Sequence, residues 1–356
     1  MKIHPVNHAC LLIESNGKYI LTDPWPISPA FGGWHQSPSP AYADIQKIIN
    51  INPEDLVVVI SHGHDDHFDD YFCKRYLSKS TVVIPQHINP GLRSRASKSF
   101  NNVVEVGMSG SQVGEAYYRA FINSDYTNHD AIVTIEVGDS VVIHANDNWH
   151  PQEKEHLKTI KSLCKDKNSS YYSQIGIADC FPSHYPEIPE EDKLSIIRNR
   201  LATQITSVKN NFRTVGADSL FCYANQSKIL GSSISPYEIL QELLEHEESI
   251  TQIRPSEGVG YLSALVKEQE SVVASKVSGD LQVRFFIGLP SSEPEKNEVY
   301  YCADEVVWRR IFSGQLTLES LGIGGMGTII SNPTLNIREA HYIISKYAYQ
   351  LQNKIT

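Results

Sequence analysis

The apolar run Leu56-Val57-Val58-Val59-Ile60 stops at Ser61-His62-Gly63-His64-Asp65-Asp66-His67, and no other stretch constrains the fold of this chain as much. A β-branched run of that length reads as a buried strand, and the polar cluster behind it as a loop delivered to the rim of a sheet. Histidines crowded into such a loop have no packing purpose that cheaper residues would not serve. The order His-x-His-x-Asp-His is instead a metal-ligand pattern. Imidazoles two apart can grip one divalent ion, while the Asp and the adjacent His turn toward a second.

The whole chain sets bounds on that reading. Its 356 residues can bury a large core, and its 41% hydrophobic and 20% charged content is that of a globular protein. A net charge of −10 argues against nucleic acid or an anionic membrane as partner, since both want broad basic surfaces. A phosphorylated small substrate stays open, because bound metal ions supply positive charge locally. The N-terminus has no apolar targeting core, and no segment reaches the ~18 apolar residues of a membrane span. Cysteines 10, 73, 164, 180, 222 and 302 form no CxxC pair, which suits reduced thiols. The expectation is a soluble cytoplasmic protein that takes a small-molecule substrate; its oligomeric state is not legible.

Along the chain, residues 9–14 and 18–22 flank Asn16-Gly17, a strong hairpin turn signal. A Pro/Gly-rich loop runs to Pro40, and a short helix is expected over 41–50. After the strand at 56–60 come a helical stretch near 69–78 and strands at 81–85, 102–107, 116–122, 131–137 and 140–145. A helix over 152–166, a strand near 174–178, a long helix near 190–211 and a strand at 217–224 follow. From about 226 the texture changes to a polar loop, a helix at 236–248, strands at 281–287 and 298–302, and a closing helix over 337–351. The expected domains are residues 1–225 and an α+β extension over 226–356.

His62-x-His64-x-Asp66-His67 after a buried strand resembles the main signature of the metallo-β-lactamase fold superfamily. Further likeness lies in His8-Ala9-Cys10-Leu11-Leu12-Ile13-Glu14, Thr22-Asp23-Pro24-Trp25, Pro29-Ala30-Phe31 and the strand ending at Asn146-Asp147. Those residues resemble the catalytic part of CMP-N-acetylneuraminate hydroxylase and bacterial relatives lacking its Rieske domain. The resemblance implies an α/β fold, a four-layer αβ/βα sandwich with a C-terminal α+β extension, and two divalent transition-metal ions at one sheet edge. The ions implied are zinc or iron, with manganese a third candidate. His62 and His64 would hold the first ion, Asp66 and His67 the second, and Asp147 would bridge them. Asp23 would fix the tautomer of a ligand histidine from behind, although a plain Asp-Pro turn reads almost as well.

Two ligand positions depart from the family pattern. Where a histidine is expected before the strand at 131–137, direct alignment places Tyr126; His129 is the favoured ligand and Asp125 the next. The last histidine is best matched by His184. His144 reads as lying along a strand at the wrong distance, His150, His156, His246 and His341 as surface or helix-face residues, and His35 and His87 as loop residues near the pocket. Arg93, Arg95 and Lys98 read as a solvated helix face sooner than a phosphate site. Tyr117-Tyr118 and Tyr171-Tyr172 read as core. The segment 308–325 distantly resembles a sterol-carrier type of module.

Two chemistries follow. In the first, the ions activate water as a hydroxide nucleophile against a small ester, amide, lactone or phosphoester, and Asp66 orients that water. In the second, two irons use O₂ to hydroxylate a small molecule or nucleotide sugar. That reaction needs an electron-donor protein or a reductant, since the chain has no iron–sulfur cysteine spacing of its own.

Overall fold

The structure, a computed structural model, describes residues 1–31, 34–36, 39–87, 90–122, 130–177, 181–183, 188–225, 227–229, 236–245, 247–253, 282–287, 298–304, 307 and 327–331. Its first half builds one sheet from β1 (Lys2–Asn7), β2 (Cys10–Ser15), β3 (Lys18–Thr22), β5 (Leu56–Val59), β6 (Thr81–Pro85) and β7 (Asn102–Val106), in the order β1-β2-β3-β5-β6-β7. Between its strands lie β4 (Trp34–Gln36), α1 (Tyr42–Ile49), α2 (Asp70–Phe72) and α3 (Gly91–Ser99). A second sheet follows from β8 (Ser111–Val113), β9 (Ala116–Ile122), β10 (Ala131–Val137), β11 (Ser140–Asn146), β12 (Asn168–Gln174), β13 (Ser219–Tyr223) and β15 (Thr251–Gln252). It is ordered β15-β13-β12-β11-β10-β9-β8, and carries α4 (Lys154–Cys164), α5 (Glu190–Val215) and α6 (Pro236–Leu244).

Period-2 alternation explains the layering. Along β5, Leu56 and Val58 face the helices with Ile45, Ile48, Phe72 and Leu92, while Val59 faces the other sheet. Along β11, Val141 and Ile143 face α4 and α5, and Val142 faces inward beside Val133, Ile135 and Tyr172. Helices, sheet, sheet and helices therefore stack as the four-layer αβ/βα sandwich expected from the sequence. Asn16 and Gly17 take φ of 51° and 78° in the β2–β3 hairpin, as the turn signal requires. α5 begins on Glu190, Glu191 and Asp192, which suit the positive end of the helix dipole, and ends on Gly216 at φ 71°.

Several expectations need correction. The strand expected near 174–178 lies at β12, Asn168–Gln174, in the middle of the second sheet. Its polar serines hid it: Ser169 is buried because its N–H and hydroxyl both donate to Asp218. The helix over 69–78 is α2 followed by a wider turn over Cys73–Leu77. Strands β1, β4 and β8 were not anticipated. Tyr118, Tyr171 and Tyr172 are core residues as expected, whereas His156 is buried on α4 against Phe121.

Beyond residue 225, β14 (Ser227–Ile229) pairs with β4, α6 buries Ile239 and Leu240 in the α4–α5 core, and β15 extends the second sheet. A separate three-stranded sheet joins β16 (Gln282–Ile287), β17 (Glu298–Ala303) and β18 (Gly327–Ser331). The expected closing helix and the sterol-carrier-like segment lie outside the described residues. Among the described residues, no helix is long and apolar enough to cross a membrane.

Candidate metal centre

β3 and β5 run parallel, as do β11, β12 and β13, so the loops after their C-terminal ends gather on one rim. The first delivers Asp23, the second His62 to His67, the third Asn146 and Asp147, and the last Tyr223 and Ala224. The β1–β2 turn adds His8. Backbone strain concentrates there: His8, Asp23, Asn146 and Ala224 have φ of 41°, 37°, 52° and 53°, a region that non-glycine residues adopt at a cost.

Asp23 is the hub, fully buried. Its carboxylate accepts from the Ser61 N–H (2.7 Å) and hydroxyl (2.6 Å), His67 Nδ1 (3.0 Å), His144 Nε2 (2.8 Å) and Asn146 Nδ2 (2.7 Å). Burial pushes its pKa up, but His144 and His67 outweigh that and hold it well below the usual carboxylate range. Because His67 Nδ1 donates to Asp23, the Nε2 lone pair of a neutral imidazole points the other way. There it meets Asp66 Oδ2 and Asp147 Oδ1, each at 3.3 Å. His144, read from sequence as lying at the wrong distance, faces inward like Val142 and reaches Asp23 from the opposite sheet, with Tyr223 OH 2.5 Å from its Nδ1. No local signal could have found that contact, because 121 residues separate the partners.

The structure brings His62, His64, Asp66, His67 and Asp147 together. His62 and His64 approach within 2.8 Å (Nε2 to Nδ1), and Asp147 turns Oδ1 toward His67 and Oδ2 toward His62 (3.9 Å). His129 and His184, and the alternatives Asp125 and Tyr126, lie outside the described residues. Sequence reasoning missed Asp130, whose Oδ1 stands 3.7 Å from His62 Nε2, and His8, whose Nε2 is 3.2 Å from Asp66 Oδ2. Among the described residues, three sets of donor atoms are close enough to share an ion: His62, His64 and Asp130; His62, His67 and Asp147; and His8, Asp66 and His67.

The donors fit a divalent ion by their own chemistry. His67 Nε2, Asp66 Oδ1, Asp130 Oδ1 and Asp147 Oδ1 are buried and have no hydrogen-bond partner. Buried groups left so are costly unless something else satisfies them. Burial, then the charges of His67 and His64, lowers the pKa of His62 to about 3, so it stays neutral as a ligand must. Burial, then the Asp147 charge, lifts Asp130 to about 8, a carboxyl that needs a cation beside it to ionise at neutral pH.

The loop is braced from outside by Arg95 on α3. Its guanidinium donates to Gly63 O (2.5 Å), Asp65 Oδ1 (2.9 Å), Phe68 O (2.8 Å) and Asp70 Oδ2 (2.5 Å), and lies over the Phe68 ring. Arg93 is paired with Glu105. Arg95 therefore holds the His62–His67 loop in place, while Arg93 and Lys98 stay on an exposed face as expected.

Residues 2–163 match the beta-lactamase superfamily domain. A stretch of 108 residues is 36% identical to a protein of Mycolicibacterium smegmatis named as a Rieske 2Fe-2S iron-sulfur protein; it makes up 30% of this chain and 20% of that one. The chain thus matches only a fifth of that relative's length. Among solved structures, a possible metal-dependent hydrolase from Veillonella parvula DSM 2008 superposes with a TM-score of 0.47 at 12% identity. An isothiocyanate hydrolase from Delia radicum gut bacteria gives 0.46 at 12% identity, and each alignment covers 72% of this chain and 98% of the other. The chain thus resembles the beta-lactamase superfamily domain through residues 2–163, and its described residues form a four-layer αβ/βα sandwich.

Proposed function

We propose that the chain is a metal-dependent hydrolase that opens a small ester, amide, lactone or phosphoester with water at a dinuclear centre. The observation that carries the reading is the Asp147 carboxylate, which offers one oxygen to the His67 side and the other to the His62 side. His62 and His64 would hold one ion, with Asp130 beside them, and Asp66 and His67 the other. His129 remains a proposed ligand of the first ion from the sequence. Two such ions would lower the pKa of a water and polarise an oxygen of the substrate.

The chain's own residues would do the rest. Asp23 keeps His67 in the tautomer that presents Nε2 inward. Asp66 Oδ1, buried without a partner, would orient the water and take its proton. Phe31, edge-on to His64 with ring centroids 5.6 Å apart, would wall the outer side of the site. The loop over 24–40 and the extension from 226 onward would select the substrate. Protein purified without chelators should carry about two transition-metal ions per chain, and His64→Ala should lose most of the metal. Elemental analysis showing no zinc, iron or manganese after reconstitution would end the reading.

A second reading rests on the oxygen-rich donor set of Asp66, Asp130 and Asp147, which suits iron better than zinc, and on the relative named as a Rieske protein. In it the chain is an oxygenase served by an electron-donor protein. Copurifying iron with an absorption band that changes on reduction and O₂ exposure would favour it. Stoichiometric zinc with no redox response would exclude it.

A further inference from the structure

We propose that His8 is the third terminal protein ligand of the ion held by Asp66 and His67, filling the role that the sequence pattern gave to His184. The inference rests on the metal reading above and deepens it. In the sequence His8 figured only in the stretch His8–Glu14 that carries the family likeness, with no ligand role attached to it.

The distances carry the assignment. Metal–nitrogen and metal–oxygen bonds of about 2.0–2.2 Å in a tetrahedron place neighbouring donor atoms about 3.3–3.6 Å apart. The observed separations are 3.2 Å for His8 Nε2 to Asp66 Oδ2, 3.3 Å for His67 Nε2 to Asp66 Oδ2, and 3.3 Å for His67 Nε2 to Asp147 Oδ1. These are close to the edges of one coordination polyhedron. At 3.2 Å the His8–Asp66 separation sits at the long end of the N–H···O range of about 2.7–3.2 Å, and beyond the roughly 2.7–2.9 Å of a charge-assisted bond. His8, Asp66, His67 and the bridging Asp147 then complete a four-ligand shell from described residues alone.

The placement of His8 is built in. Its backbone sits at φ 41°, where asparagine or glycine would cost less, and its carbonyl accepts from Ala224 N (3.1 Å). Asn7 Nδ2 donates to Trp25 O (2.8 Å), and the Trp25 ring meets the imidazole edge-on at 5.0 Å. The side chain is 1% exposed, and it shares Asp66 with a buried, unpartnered His67 Nε2. A turn held in a strained conformation by both sheets presents one imidazole to one carboxylate.

The test compares the wild type with His8→Ala and His8→Gln, loaded with zinc and then dialysed, by metal-to-protein ratio and competition titration. The glutamine keeps an N–H donor for Asp66 but no imidazole. The expected result is about two ions in the wild type and one in both variants, with the lost site weakened more than ~100-fold, beyond the 10–100-fold of a lost outer hydrogen bond. X-ray absorption of the zinc-loaded protein should show fewer imidazoles per ion in His8→Gln. Two ions held by His8→Gln, with wild-type affinity and an unchanged imidazole count, would overturn the ligand role and leave His8 a positioning residue. A wild type that binds no metal at all would instead sink the dinuclear reading and this inference together. Far-UV circular dichroism of His8→Gln checks that the fold survives.

Discussion

The two halves of the His/Asp cluster share the loop after β5 yet sit in unlike surroundings. His8, Asp66 and His67 are buried, and His67 is tied through Asp23 to His144 and Ser61 in both sheets. On the other side, His64 and Asp130 are only half-buried, His64 meets the Phe31 ring, and Asp130 directly precedes β10. The contrast separates two tasks. In the proposed centre, buried donors fixed by a charged hub would position an ion without yielding, whereas half-buried donors would leave an approach for substrate. If so, damage to the inner half should register in folding, and damage to the outer half in metal and substrate binding.

Asp23→Ala is the largest expected blow. It strips the acceptor from His67, His144, Ser61 and Asn146 at once, and removing one partner of a buried ion network costs about 3–5 kcal/mol. Urea titration of metal-free protein should show that loss, while His64→Ala should stay within about 1 kcal/mol of the wild type. Equal losses in the two variants would erase the distinction between the halves. The sign of the pH dependence follows from the same hub. The folded-state pKa of Asp23 is depressed, so its stabilisation is present above about pH 4 and is lost as pH falls below that.

Asp130 should behave oppositely. Its folded-state pKa is raised to about 8, so in metal-free protein its contribution is present below about pH 4 and lost as pH rises toward 8. For that group alone the slope is about −1.4 kcal/mol per pH unit. Asp130→Asn should therefore make the metal-free protein more stable at pH 8, while weakening its affinity for metal. Parallel denaturation curves at pH 5 and pH 8 check the first, and zinc competition the second. A variant that is no more stable at pH 8 would mean that Asp130 is already paired in the metal-free protein.

Much of this centre was readable because its chemistry is local. His62, His64, Asp66 and His67 lie within one loop after one strand, and Asp147 ends another strand, so spacing and resemblance placed them. His144 was not readable, although the alternation along β11 puts it on the inner face with Val142. What it meets there is decided by how two sheets pack, and its partner Asp23 is remote in sequence. Asp130 was hidden beside a more obvious histidine, and His8 entered only with the family likeness of residues 8–14, where no ligand role attached to it. The strand β12 was misplaced because its burial depends on hydrogen bonds to Asp218, which apolar patterning does not register. Arg95 read as a surface cation because its acceptors include the backbone carbonyls of Gly63 and Phe68, which sequence cannot display.

A smaller expected effect than that of Asp23→Ala belongs to Arg95, and it tests whether the two halves share one frame. The guanidinium reaches Gly63 and Asp65, between the ligands of the outer half and those of the inner, and Phe68 and Asp70 just beyond. A lysine keeps the charge but cannot span those acceptors as a planar fork. Arg95→Lys should cost about 1–2 kcal/mol, the scale of one or two lost hydrogen bonds to charged or buried groups. Because the loop would carry donors to both proposed ions, zinc affinity should fall by a similar factor at each site, in contrast to the one-sided loss expected for His8→Gln. Stepwise zinc titration reads the two sites separately. If only one site weakens, the loop is two independently held pieces, and the inner half owes its rigidity to Asp23 alone.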